Sequence, residues 1–404
     1  MSAAHKDDQV LDLGSEKYSD YHSAILLASV ALTAFAGAAA AEVSFSGSAT
    51  LGYNDDNGRL AGGAVFGDHQ GFYSDLNLDV AFSAELDNGL TVSASADVDE
   101  VDAADAASRG VTLTISSDTA SLVYGDTEFA AKSMWSAAGD MEADSFSAQD
   151  GEGVLKGTFS FGGVDMAVSG LVYDAEGDAA TDDLAQLSFG AKATVGAATV
   201  VVAYQEELLA ADVTGGLNAN TNTTISTNGD LTTAETLGIS VAMSVAGADV
   251  KLAYASEKNT GGTDYDSTGI AVSYPMGDVT VSAYFVSEDD STAVDAKDNY
   301  GVKFAYAAGA VAGTLGFASE QGTDYVSLEG SYDLGNGLSI YAGAITKDGD
   351  TDDTYVGASY DLGGGASLLV SYADDTNNDE AAGDDDIGAQ GYAVGTTVEL
   401  SFAF

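Results

Sequence analysis

Val398-Glu399-Leu400-Ser401-Phe402-Ala403-Phe404 carries apolar residues at 398, 400, 402 and 404, with small or polar ones between them. A two-residue period puts the two sets on opposite faces of an extended strand, one greasy and one wet. The same rhythm recurs from residue 43 onward, in short segments separated by Gly, Asp and Asn. Leu76, Leu78, Val80, Phe82, Ala84 and Leu86 share one face, while Asp75, Asn77, Asp79, Ser83 and Glu85 share the other. In the next segment Val92, Ala94, Ala96 and Val98 oppose Thr91, Ser93, Ser95, Asp97 and Asp99. A soluble sandwich would fill its core with large side chains. Here many apolar-face positions are Ala or Gly, and the opposite face is rich in carboxylates. The pattern predicts an all-β fold, a transmembrane antiparallel up-and-down β-barrel with no strand edge left unpaired in lipid and water inside.

Composition agrees. Twelve Lys+Arg against 64 Asp+Glu give a formal net charge of -52, yet 45% of the residues are hydrophobic. Acidic disordered chains are poor in aromatics, whereas 20 Tyr and 15 Phe occur here. One Pro beside 49 Gly fits strands joined by tight turns. Ten Lys/Arg lie beyond residue 41 and nowhere cluster, which argues against nucleic acid as a partner. The charge points instead to cations and to solutes that tolerate a cation-rich field. Cysteine is absent, so no disulfide or thiolate metal site exists. The three His stand at 5, 22 and 69, and His69 alone falls beyond residue 41. No Gly-rich phosphate loop and no metal-spaced His pair occurs, so the chain does not read as an enzyme.

Residues 1–41 read as an N-terminal extension and cleaved signal peptide. The apolar core runs from Ala24 to Ala36 and leads to Ala39-Ala40-Ala41, a small-residue cleavage pattern. Upstream, residues 1–22 are mixed in charge and carry Lys6 and Lys17 in place of a short basic start. A retained membrane helix fits less well, because the run is short and Ala-rich against the ~20 residues a span needs.

Residues 42–404 form one domain built of hairpins. Tight turns are expected at Asp87-Asn88-Gly89, Gly162-Gly163, Ala246-Gly247-Ala248, Pro275-Met276-Gly277 and Gly335-Asn336-Gly337. The phrase Tyr332-Asp333-Leu334-Gly335 recurs as Tyr360-Asp361-Leu362-Gly363, each closing a strand. Direct counting gives about twenty candidate strands, the last at 391–404, and an even number is expected if both termini lie on one side. The longest connections are 54–72, 127–153, 207–235 and 374–390. Tyr53, Tyr204, Tyr254, Tyr274, Tyr306, Tyr332, Tyr360, Tyr372 and Phe402 sit toward strand ends, where interfacial girdles belong.

With Glu42-Val43-Ser44-Phe45-Ser46-Gly47, the hairpin from Ala358 to Ser367, the strand ending at Phe404 and the long connection after the fifth segment, the chain resembles bacterial outer-membrane general-diffusion porins. It is most similar to those of photosynthetic and marine alphaproteobacteria. The likeness covers essentially all of 42–404. It implies an outer-membrane location, homotrimers of sixteen-stranded barrels, and a third long loop folded into the barrel, where its acidic residues face a basic cluster. The loop in that position is 127–153, bearing Glu128, Asp140, Glu142, Asp144, Asp150 and Glu152, with Lys132 and Lys156 as candidates for the positive side of a pore constriction. By parity Lys156, Lys192, Lys251 and Lys303 point inward, and Arg59 and Arg109 lie near loops. That is few bases for such a cluster. A C-terminal aromatic such as Phe404 also resembles the assembly signal of outer-membrane proteins.

Asp374, Asp375, Asp379, Asp384, Asp385 and Asp386 supply hard oxygens, but their spacing matches no calcium loop. The expectation is no dedicated cofactor, with Ca2+ at most bound loosely and bridging to neighbouring lipopolysaccharide. The leading reading is a water-filled channel for passive diffusion of small hydrophilic solutes and ions, preferring cations. The alternative is an outer-membrane barrel acting mainly as a surface adhesin or display protein. A secreted β-sandwich is the third. Conductance separates the first two, and lipid dependence separates both from the third.

Overall fold

The computed structural model describes residues 42–55, 71–98, 108–147, 153–174, 183–208, 217–218, 234–292, 296–347, 353–375, 386–387 and 391–404. The first strands are β1 (Glu42–Asn54), β2 (Gly71–Glu85), β3 (Thr91–Val98), β4 (Ser108–Ser116) and β5 (Ala120–Gly125). A short helix α1 (Ala130–Met134) precedes β6 (Val154–Phe161), β7 (Val164–Asp174), β8 (Asp183–Val195), β9 (Ala198–Gln205) and the two-residue β10 (Leu217–Asn218). Then come β11 (Ala234–Val245), β12 (Ala248–Asn259), β13 (Tyr265–Met276), β14 (Val279–Asp290), β15 (Asn299–Ala308) and β16 (Val311–Glu320). The chain finishes with β17 (Thr323–Gly335), β18 (Leu338–Lys347), β19 (Asp353–Gly363), β20 (Ala366–Asp375), β21 (Asp386–Ile387), β22 (Tyr392–Ala393) and β23 (Gly395–Ala403).

Leaving aside the two-residue pieces β10, β21 and β22, twenty strands among the described residues pair with their chain neighbours, all antiparallel. The sheet closes because β1 pairs with β2 on one side and β23 on the other: Ala49 faces both Leu76 and Phe402. Phe404 completes the seam by exchanging two 3.0 Å backbone hydrogen bonds with Gly47. Closure leaves none of these twenty strands with an unpaired edge, which a spanning sheet requires in hydrocarbon. Twenty strands match the direct count and correct the sixteen that the resemblance implies. Each short polar–apolar segment quoted from the sequence has its own hairpin partner, so no two merge.

Parity decides which side is out. Leu76, Phe82, Leu113, Leu328 and Val356 are exposed, as are their alternating neighbours around the wall. Such a belt is stable only against lipid. The opposite face carries Ser, Gly, Ala and carboxylates and is the interior. Tyr274, Tyr306, Tyr332 and Tyr360 all lie exposed near the tight-turn ends of β13, β15, β17 and β19, forming one girdle level.

The turns follow their residues. Gly162 and Gly163 (φ 62° and 83°) make the β6–β7 turn in the left-handed region that a two-residue hairpin needs. The repeated Tyr-Asp-Leu-Gly phrase builds the same device twice. Asp333 Oδ1 accepts the Gly335 N–H at 2.7 Å, Asp361 Oδ1 accepts the Gly363 N–H at 2.8 Å, and the register shifts at both places. Pro275 differs from expectation: the turn is Gly277-Asp278, and Pro275 is next to last in β13, opposite Thr280. The β12 ladder on its other side stops at Ser273, so the missing N–H interrupts nothing there. The last strand also starts later than expected, at Gly395, because Tyr392 turns inward against Gly357. Residues 1–41, with the cleavage expectation, lie outside the described residues, as do Arg59, His69, Asp99, Asp150, Glu152, Asp379, Asp384 and Asp385.

Candidate functional site: the segment against the inner wall

After β5 the chain turns in at Phe129, which is fully buried with Val154, Leu171 and Leu208. Helix α1 follows, and its first free N–H groups are met by the wall. Ala130 N–H donates to Ser169 Oγ and Ala131 N–H to Ser188 Oγ, both at 2.8 Å. These bonds satisfy two of the orphan donors that begin any helix. The segment then crosses the interior faces of β11 to β15. Ala143 N–H donates to Ser267 Oγ (3.0 Å) and Glu142 N–H to Glu288 Oε1 (3.1 Å). Asn299 Nδ2 donates to the backbone oxygen and to Oδ2 of Asp140, each at 3.0 Å. At the far end Gln186 and Gln205 both donate to Ser147 Oγ, at 2.6 and 2.9 Å.

Missing side chains on the wall make room for this segment. A Cβ on Gly190 would stand 2.6 Å from the Ala130 oxygen, and one on Gly238 would stand 2.5 Å from the Trp135 ring. Gly269 is likewise covered by the Ala138 oxygen. Gly139, at φ 92°, receives the Tyr284 ring in return. Met141, Ala138 and Ala143 pack with Ala253, Ala255 and Val286. Backbone thus lies directly on backbone along the interior of β8 to β14.

The expected site residues fall into two groups. Lys132, Asp140, Glu142 and Asp144 lie on the seated segment, and Glu128 stands exposed at its root. Asp144 Oδ2 accepts from Trp135 Nε1 at 2.9 Å. Burial pushes the Asp144 carboxyl up to about 6; the Trp135 hydrogen bond and the Lys132 charge oppose that, and the nearby Asp140 and Glu142 charges add to it. Lys251 reaches from β12 to Ser136 Oγ and feels the Asp144 charge. Lys156, on β6, feels Glu128. Glu288 was not singled out from sequence, although its even spacing from Ser282 and Tyr284 puts it on the inner face. It receives Glu142 N–H and Ser267 Oγ–H together. Gln186 was also missed, since a bulge (φ 49°) turns both Ala185 and its neighbour Gln186 inward.

A second piece of chain lies against the interior at β19 and β20. Tyr392 packs on Tyr355 at 5.1 Å between ring centroids, with Tyr341 and Ala373 beside them. Among the acidic positions of 374–390, Asp374 is exposed and β21 places Asp386 opposite Ala393. No group of three or more His, Cys, Asp or Glu that could hold a metal ion occurs among the described residues.

A closed twenty-stranded barrel with an apolar exterior and a polar interior defines a β-barrel membrane protein with an aqueous lumen. A family model for Gram-negative porin matches residues 28–154 and 207–380, and the chain belongs to that family. It is accordingly a porin of the bacterial outer membrane, a diffusion channel for small solutes. Among solved structures, a single-tryptophan mutant of the Rh. blastica porin shares 18% identity at a TM-score of 0.40, over 90% of this chain and 100% of that one. A triple mutant of the Rhodopseudomonas blastica porin shares 17% at 0.39 with the same coverage. No curated protein sequence matches the chain significantly.

Proposed function

We propose that the channel prefers cations and that residues 127–153 narrow it. The observation carrying the reading is the double tethering of that segment. Its start is tied to Ser169 and Ser188 and its end to Gln186 and Gln205, with Ser267, Glu288 and Asn299 between. A segment held at so many points excludes solute from the lumen it occupies. In this reading Glu128, Asp140, Glu142 and Asp144 border the remaining path, and Lys132 and Lys156 are the positive members. The excess of inward carboxylates over inward lysines, inside low-dielectric walls, enriches cations. The same reading takes the chain as a channel rather than an enzyme. It includes a cleaved signal over 1–41, assembly into homotrimers, and loose divalent bridging from Asp374, Asp375, Asp379, Asp384, Asp385 and Asp386 to lipopolysaccharide. Deleting 136–148 tests the constriction. Single-channel conductance rises if the segment narrows the lumen, and an unchanged conductance overturns the reading.

A further inference from the structure

We propose that permeating cations follow the wall formed by β16 to β20, β23 and β1 to β3, and that Asp75, Asp79 and Glu399 on that wall set the ionic preference. This rests on the cation-preferring reading above and says where in the lumen that preference arises.

The interior charges are segregated. Lys156, Lys192, Lys251 and Lys303 all stand on β6 to β15, the arc that carries the seated segment, and Lys132 stands on the segment itself. Four of these five lysines have acidic neighbours. Lys251 and Lys132 both feel Asp144. Lys156 feels Glu128. Lys192 lies opposite Asp165 in the β7–β8 register. The segment therefore brings its carboxylates to the arc that holds the bases, and opposite charges there partly offset one another. A dipole's field falls off faster than that of a net charge, and salt screens it further.

The opposite arc is different. Among its described strands only Lys347, at the end of β18, carries a basic side chain. The carboxylates there are held by neutral donors. Tyr73 Oη–H and Ser401 Oγ–H donate to Glu399 at 2.6 and 2.9 Å. Asn77 Nδ2 donates to Asp75 at 3.1 Å, and Ser46 Oγ–H to Asp79 at 3.4 Å. Tyr355 Oη–H donates to Glu329 at 2.6 Å. Such donors orient a carboxylate without cancelling its charge. Asp75 and Glu399 each stand four residues from the long-connection end of their strand (Gly71 and Gly395). Gly238 and Gly269, which seat the segment, stand at the same count from Ala234 and Tyr265. By these counts Asp75 and Glu399, held by neutral donors, stand at the level of the segment on strands that do not carry it.

The test uses the full protein in planar bilayers under a potassium chloride gradient, comparing wild type with D75N/D79N/E399Q and with D249N, which neutralises a carboxylate on β12 that accepts from Ser244 Oγ–H on the arc carrying the segment. The wall variant is expected to lose most of the cation-over-anion permeability ratio, while D249N stays within about twofold of wild type. A ratio that collapses in D249N, or falls equally in both, overturns the proposal. A wild type of anion-selective sign refutes the cation-preferring reading itself, which separates the two failures. If the triple variant does not fold, Asp75→Cys serves, because the chain has no other cysteine. Its ratio falls, and a negatively charged thiol reagent restores it. No restoration, or no initial fall, contradicts the proposal.

Discussion

Trp135 Nε1–H donates to Asp144 Oδ2 across 2.9 Å, and the indole lies over Gly238, where a Cβ would stand 2.5 Å from the ring. One contact therefore joins the two ends of the seated segment's middle and presses them on the wall. Trp135 is the only tryptophan in the chain, so its emission reports on this contact alone.

The Asp144 carboxyl is raised to about 6, chiefly by burial. A raised carboxyl favours the folded, protonated form. Its contribution is complete below pH ~4 and is lost as pH rises through 6. At neutral pH the ionised group costs docking about 2–3 kcal/mol relative to the protonated form. Trp135 emission should show a transition centred near pH 6 that is absent in Asp144→Asn. The same transition in both proteins would assign it to another group.

Ser147→Ala removes the acceptor of both Gln186 and Gln205 amides, whose Oε1 atoms already lack a partner. Leaving a buried donor unmet costs ~1–3 kcal/mol. The variant should release the segment's end, seen as faster tryptic cleavage at Lys132 and a lower unfolding temperature in detergent. Equal cleavage rates would show that Ser147 does not hold the segment.

Gly238→Val places methyl groups into the Trp135 ring. Overpacking of this kind costs ~1–3 kcal/mol, and displacement of the indole relieves it. Emission should shift red and conductance should rise. An unchanged spectrum would mean that the ring stands clear of Gly238.

How much of this was legible beforehand follows the physics of each element. The strand rhythm from Leu76 to Leu86 or Val398 to Phe404 is local, set by which side meets lipid, so the barrel and its twenty strands could be counted directly. The repeated Asp-Leu-Gly turns are local too. The seating of 127–147 is not. It depends on Gly190, Gly238 and Gly269 standing in different strands at one place on the wall, and no local period marks that. Gln186 needed a bulge to face inward, and Tyr392 needed the gap above Gly357. Both break the period-two count at the places where chain folds onto the interior.

The seam should be sensitive. Deleting Phe404 removes both of its backbone bonds to Gly47, where the last strand closes on the first. Assembly into the outer membrane should fall, read as heat-modifiable barrel in membrane fractions. Wild-type levels of folded barrel would contradict a role for this residue in closure.

The lumen charge is tested most directly by the reversal potential of the wild-type channel under a potassium chloride gradient at neutral pH. The account predicts a cation-selective sign that weakens as salt shortens the Debye length below ~10 Å, its value near 0.1 M, and that weakens again in acid as carboxylates protonate. An anion-selective sign would contradict it, placing control of the path with Lys156, Lys192, Lys251 and Lys303.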